Sequence, residues 1–446
     1  MFDKLIHFSL KSRLFIIISA VCLMVYGIFT ARHLPVDVLP DLNRPTVTIM
    51  TEAHGLAPEE VESQVTIPLE RSLSGVSGLT RLRSVSGIGL SIIFLEFDWN
   101  SDIYRQRQLV SERLSTTVSA IPTGLTPTMT PVTSIMGEIM LIGVSAVKDT
   151  VTPMQLRTLA EWTIRPRLLS LSGIAQVTAI GGEVKQYQVN VEPSLLSSYN
   201  LTLEELEFCL KDFAKNTTGG FLTENSQEWL IRNIGLTNDL SELKKTLVKF
   251  RNNAPISLEQ VADVRIGAAV KRGDASINGK PAVILVVQKA PTANTLTLTE
   301  SIDKTIQELK STLPDSVAIH PEIFRQADFI ERSISNVEEA LRDGFILVTI
   351  ILILFLANTR TTLISLTAIP LSIIITMIIF KWFNLSINTM TLGGLAIAIG
   401  ELVDDAIVDV ENIFRRLREN KQSATPKPAF EVIFKASKEI RNSIVY

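Results

Sequence analysis

Residues 385–417, LSINTMTLGGLAIAIGELVDDAIVDVENIFRRL, constrain this chain more than any other stretch. The segment opens as an apolar run. From Leu385 to Val403 it is about 19 residues long, enough to cross ~30 Å of hydrocarbon. Five carboxylates then follow in quick succession: Glu401, Asp404, Asp405, Asp409 and Glu411. At roughly 100° per residue they share one sector of about 160° with Asn412, Arg415 and Arg416. Leu402, Val403, Ala406, Ile407, Val410, Ile413, Phe414 and Leu417 fill the opposite sector. Traced back, the polar sector becomes Ala398, Gly394 and Thr391, and small residues let a second membrane helix approach closely. This pattern predicts carboxylates that look into a helix bundle, where ionisable groups are costly and mark ion or proton paths. A solvated, cytoplasmic extension of the same helix also fits the segment, so the rest of the chain has to separate the two readings.

Composition points the same way. The chain has 446 residues, 46% apolar and 20% charged. That is too apolar for an ordinary soluble protein and too charged for a purely transmembrane one, so a membrane part and a large soluble part are expected. A formal net charge of −3 gives no general affinity for nucleic acid. Cys22 lies in an apolar run and Cys209 in a polar region, so they are not expected to pair. His7, His33, His54 and His320 are scattered without metal-ligand spacing. No nucleophile–base set, phosphate loop or metal-hydrolase motif occurs, so neither enzyme chemistry nor a cofactor is expected.

Residues 1–33 read as an amphipathic start, basic at Lys4, Lys11 and Arg13, followed by a first crossing. The basic end is expected in the cytoplasm. A signal peptide is the competing reading, but no small-x-small cleavage site follows and three more membrane segments do. Residues 34–335 contain no spanning segment and read as an exported region of about 300 residues. Strands at 45–53, 79–87, 90–97 and 128–134 alternate with helices at 57–75 and 101–121, a β-α-β-β-α-β order. The order starts again with a strand at 138–146, a helix at 153–171 and a strand at 173–182. It is completed only by 282–290, 295–313 and 315–323. Residues 183–280, with turn signals at Thr218-Gly219-Gly220 and Asn278-Gly279, read as an inserted lobe.

Crossings are expected at 328–357, 361–383 and 385–417, with a kink at Pro370. Residues 418–439 read as a basic cytoplasmic linker, and 440–446 as the start of a fifth crossing, cut short. The expected fold is therefore an α-helical membrane bundle of four complete transmembrane helices plus the start of a fifth. It carries a large periplasmic α+β region of two ferredoxin-like subdomains, at 34–134 and at 135–182 with 281–327, and the inserted lobe.

This layout resembles one half of a resistance-nodulation-division (RND) transporter, and the residues resemble it more closely still. Val403-Asp404-Asp405-Ala406-Ile407-Val408 with Val410-Glu411-Asn412 is similar to that family's fourth-helix motif. The stretch from Leu34 to Asp41, Arg83-Ser84-Val85-Ser86-Gly87, and Asp102-Ile103-Tyr104 leading to Gln108-Leu109-Val110 resemble its heavy-metal-efflux branch. So do Gly137-Glu138-Ile139, Arg165-Pro166, and Ile180-Gly181-Gly182 followed by Lys185-Gln186-Tyr187.

The resemblance implies a proton-driven inner-membrane exporter of Gram-negative bacteria. Such proteins form homotrimers in the lipid bilayer and move a metal cation. They work with a periplasmic membrane-fusion adaptor and an outer-membrane channel. Residues 183–280 would be the docking lobe and the two α+β units would be porter subdomains. The C-terminal half is missing, and with it the later-helix cations and the metal-binding porter subdomains, so the chain is not expected to be active alone.

The proton relay would run through Asp404 and Asp405, with Glu411 and Glu401 along the path. Two adjacent carboxylates in a low-dielectric bundle repel each other and lose solvation, which favours the protonated form. For Glu411, a solvated carboxylate paired with Arg415 at i+4 stands as the alternative. The metal is left open. Zinc- and cobalt-type members carry an acid where this chain has Ala398. Copper- and silver-type members place methionines along the path; Met390 suits that, while Leu402 does not. Met129, Met136, Met140 and Met154 suit soft Cu(I) by chemistry and core packing by habit. Export of drugs or other organic compounds, or a non-transporting membrane scaffold, are the alternative functions.

Overall fold

The computed structural model describes residues 2–34, 36–37, 44–132, 137–148, 150–213, 217–224, 227–233, 237–251, 254–271, 273–291, 293–356, 359–383, 385–423 and 425–445. The chain opens with α1 (Phe2–Lys11) and, after a break at Ser12, α2 (Arg13–Ala31). Most large side chains of α2 are exposed, as a lipid-facing helix requires.

The first α+β unit follows: β1 (Thr46–Glu52), α3 (Pro58–Val61), α4 (Ile67–Leu73), β2 (Leu79–Gly87), β3 (Leu90–Phe97), α5 (Ile103–Thr117) and β4 (Thr128–Met129). The strands lie in the order β2-β3-β1-β4. Strict alternation buries one face of β1 and β3, and Val47, Ile49, Ile93, Leu95 and Phe97 meet the helices there. β4 is shorter than the strand expected at 128–134. Pro127 and Pro131 bracket it and offer no backbone donor, and 133–134 lie outside the described residues.

The second unit has β5 (Glu138–Ala146), α6 (Pro153–Leu159), α7 (Arg165–Leu169) and β6 (Ile174–Gly181) before its interruption. The interrupting segment comprises β7 (Lys185–Val191), α8 (Pro193–Ser198), α9 (Leu203–Asp212), the hairpin β8 (Thr217–Glu224) with β9 (Gln227–Asn233), α10 (Leu240–Lys244), β10 (Leu247–Arg251), β11 (Ala254–Ser257) and β12 (Ala262–Ala268). It closes where β7 pairs antiparallel with β12, over a separate core of Leu196, Leu206, Leu258 and Val264. The second unit then resumes with β13 (Ser276–Ile277), β14 (Lys280–Lys289), α11 (Thr295–Thr312) and β15 (Val317–Arg325). Its path runs β15-β5-β14, and β6 pairs with β14, so the order matches that of the first unit.

Both units share a second feature. The first long helix of each is interrupted by a π turn, Glu62–Thr66 between α3 and α4 and Ala160–Ile164 between α6 and α7. Each π turn ends one residue before an X-Pro pair, Ile67-Pro68 or Arg165-Pro166. Proline has no N–H to donate and its ring crowds the carbonyl four residues back. The wider turn moves bonding to i−5, as Ile67 N–H to Glu62 and Arg165 N–H to Ala160 show.

β15 passes directly into α12 (Gln326–Leu356), followed by α13 (Thr359–Trp382), α14 (Thr389–Gln422) and α15 (Ala429–Val445). Among the described residues, two helical stretches are both long and apolar enough to cross a membrane: Arg13–Ala31 and Thr362–Trp382. α12 and α14 mix an apolar stretch with charged ones. Gly27 of α2 faces Ile374 of α13 so closely that a Cβ there would overlap it.

Two expectations are corrected. The crossing expected to start at 361 is already helical at Thr359. The linker expected at 418–439 is mostly helix: α14 continues to Gln422 and α15 begins at Ala429, well before the expected start of a crossing at 440. Pro426 and Pro428 end the break between them, where a helix cannot pass but can restart.

Candidate functional site

The candidate site is the polar face of α14. The helix starts at a built cap. Asn388, buried, accepts the Thr391 N–H on Oδ1 at 2.9 Å, and the Thr391 hydroxyl accepts the Asn388 N–H at 2.8 Å. The helix then runs unbroken to Gln422, so Glu401, Asp404 and Asp405 all sit on one regular helix. At 1.5 Å per residue Asp404 lies ~24 Å along the axis from the cap. The side chains of Glu401, Asp404 and Asp405 lie outside the described part of the structure.

The lower part of α14 is described in full. Glu411 is exposed, and Arg415 donates to Asn412 Oδ1 at 2.9 Å, three residues back, rather than forming the i+4 pair considered from the sequence. Asn412 is buried and donates to the Ala436 carbonyl of α15 at 3.1 Å. Arg416 reaches Glu439 of α15 at 2.6 Å and Glu419 at 3.1 Å. Asp409, one of the five acids of the polar sector, is half-buried against α15, where Ser437 is its hydrogen-bond partner. The sequence offered no sign of this, because α15 itself was read as linker.

The upper part packs through Leu395 but is open at two glycines. A Cβ on Gly393 or Gly394 would meet nothing within 4 Å among the described residues. The close helix approach expected from Thr391, Gly394 and Ala398 is therefore not made at Gly394 by the described part of this chain. Met390, the candidate metal-path residue, is 61% exposed at the start of the helix. Met140 is fully buried in the second unit and Met129 packs on the first core, so both are packing residues; Met136 lies outside the described residues. Among the described residues no three His, Cys, Asp or Glu side chains converge on a metal-sized site.

The sequence pattern of the AcrB/AcrD/AcrF family matches residues 5–446, nearly the whole chain. The chain belongs to the AcrB/AcrD/AcrF family. Within it, the resemblance to RND heavy-metal-efflux proteins holds. The chain is 31% identical to the cation efflux system protein CzcA of Alcaligenes sp. (strain CT14), an alignment covering 100% of this chain and 43% of that protein. It is 32% identical to the cation efflux system protein CusA of Escherichia coli (strain K12), covering 99% and 43%. A crystal structure of a heavy metal efflux pump superposes with a TM-score of 0.84 at 27% identity, covering 99% of this chain and 43% of the other. The chain thus spans under half the length of the relatives it matches, and those relatives are efflux proteins.

Proposed function

We propose that this chain is the N-terminal half of the inner-membrane permease of a proton-driven RND exporter of heavy-metal cations. One observation carries the reading. The likeness to cation efflux proteins runs through the whole chain, the carboxylate-bearing helix included. On this reading α2, α12, α13 and α14 are four crossings and α15 leads into a fifth. Asp404 is the first proton acceptor and Asp405 the second. Glu401 and Glu411 extend the path outward and inward. Ionisable groups survive in a membrane helix when they face a bundle interior or water rather than lipid.

The open face at Gly393 and Gly394 supports the incomplete-bundle part of the reading, because helices from a second half would pack there. The α+β units and the lobe at 183–280 would stand in the periplasm and meet an adaptor and an outer-membrane channel in a trimeric assembly. The transported cation is cargo, bound chiefly by residues beyond this chain.

The test is Asp404→Asn, introduced at the gene's own locus so that the full protein and its companions are retained. Survival under copper, silver, zinc, cobalt and cadmium should fall to the level of a gene deletion, with the protein still present in the membrane. Wild-type resistance to every metal would rule the reading out. A variant sensitive to organic toxins alone would move the substrate class to those compounds.

A further inference from the structure

The short run between α2 and the first α+β unit is clasped from two sides. On the membrane side, buried Leu34 packs with Met377 of α13 and Leu395 of α14. Val36 forms a parallel bridge with Ile387, and the Asp37 N–H donates to the Ile387 carbonyl at 3.0 Å. Ile387 directly precedes Asn388, the cap of α14.

The Asp37 carboxylate reaches into the second α+β unit. Lys289 Nζ donates to Asp37 Oδ1 at 2.8 Å and to the Ala293 carbonyl at 3.1 Å. The Thr295 hydroxyl donates to the same Oδ1 at 3.1 Å. Lys289 ends β14 and is 5% exposed; Thr295 begins α11 and is fully buried. An ammonium so buried needs a counter-charge and a full set of acceptors, and removing one partner of such a pair is far more costly than breaking a surface ion pair. The contact is therefore a fixed joint. Asp37 and Lys289 stand 252 residues apart in the chain.

We infer that the Asp37–Lys289 pair is a positioning joint that carries movement of α14 into the seam between β14 and α11. The inference rests on the proposed proton uptake at Asp404. α14 is one continuous helix from its cap past Asp404, so an axial or tilting shift at the acids reaches Ile387. From there the Ile387 carbonyl, the Asp37 backbone and the Asp37 carboxylate lead to Lys289. A second, covalent route enters the same unit where β15 runs into α12. β15 pairs with β5 and β14 with β5 and β6, so the two attachments grip different strands of one sheet. Attachments on different strands can turn the sheet rather than merely push it.

The test is a double-variant cycle on the full protein in lipid nanodiscs, read by amide hydrogen exchange over residues 285–300. Asp404→Asn fixes one acid in its neutral form and should change exchange there by about tenfold, within the usual range for coupling between sites. In an Asp37→Ala background the same change should shrink to under about twofold. Should Asp37→Ala fail to accumulate, Asp37→Leu with Lys289→Met removes both charges at similar volume and leaves no lone buried ammonium. That pair should fold, keep α14 intact and lose the response. Metal efflux is measured in parallel. An equal response to Asp404→Asn with and without the joint overturns the inference, and so does a null response when Asp404→Asn abolishes efflux. Wild-type efflux in Asp404→Asn overturns the proton-site reading itself, and the inference falls with it.

Discussion

At the scale of single residues, charged groups whose partners lie far along the chain organise the junctions. Arg325, the last residue of β15, donates to both oxygens of Asp303 on α11 at 2.9 and 2.8 Å, and to Asp328 in the first turn of α12 at 3.0 Å. These two aspartates hold the guanidinium more firmly protonated than usual. Arg325→Ala should cost ~1–3 kcal/mol of stability, as expected for charge-assisted bonds on a mostly buried side chain, and Arg325→Lys should recover only part because it loses the two-pronged contact. Thermal unfolding of the purified protein in detergent would show this ordering, and equal loss in both variants would contradict it.

In the inserted lobe, Lys249 and the capping Thr202 N–H hold the Glu205 carboxyl below its ordinary 4.5. A depressed carboxyl stabilises above its unfolded value and loses that contribution as pH falls through its folded value. Exchange protection of α9 should therefore drop only below about pH 4.5, and Glu205→Gln should flatten that drop. Neither Arg325 nor Lys289 was legible in the sequence. A lysine or arginine ending a strand reads as a solvent-facing cap, and nothing nearby names an acid 22 or 252 residues away. Asp404 and Asp405 stand out in the sequence as candidates for the opposite reason: a charge in an apolar run is conspicuous without its partner.

At the scale of elements, hydrophobic periodicity disclosed most strands and helices but not the π turns, although the signal was present. The buried stripe of the first unit's helix is Val61, Val65, Leu69 and Leu73, and that of the second is Leu156, Ala160, Ile164 and Leu168. Each advances by four residues. At roughly 100° per residue such a stripe drifts by about 120° over its length on a regular helix. A π turn absorbs one extra residue and returns the last member to the face of the first. Deleting exposed Gln64 should then close the helix to regular α geometry with the stripe still on the sheet. It would also place Pro68 in a regular helix interior, at ~3 kcal/mol. Adding Pro68→Ala to the deletion should recover most of that loss. Chemical denaturation of the three variants checks the pattern; a deletion whose loss alanine does not relieve would show that the turn is kept by something other than proline and stripe. The break between α14 and α15 was misjudged for a related reason. Residues 418–439 read as a basic cytoplasmic linker, whereas Arg416 pairs with Glu439 and Asn412 donates to the Ala436 carbonyl, contacts that dock α15 on α14.

At the scale of the whole molecule, the two halves of the sequence were differently legible. The order β-α-β-β-α-β implies a sheet order once the strands are found, and both units adopt it despite the long insertion. How the α+β units sit on the helices was not legible, because that is fixed by a few contacts such as Asp37 with Lys289. The helix bundle itself has one closed face and one open one, and glycine substitutions distinguish them. Gly27 of α2 lies against Ile374 of α13, whose side chain any added side chain must displace. Gly27→Leu should therefore lower the amount of folded protein in the membrane, with overpacking costing ~1–3 kcal/mol or more. Gly394 of α14 has free space above it among the described residues. Gly394→Leu should leave the folding of this part untouched, yet obstruct any helix that docks on α14 beside Asp404 in the full transporter. The expected outcome is normal abundance, normal exchange protection of α2 and α13, and loss of metal efflux. Should Gly394→Leu transport at the wild-type rate, no helix packs on that face, and the proton relay proposed for Asp404 and Asp405 would have to run through water rather than a partner helix.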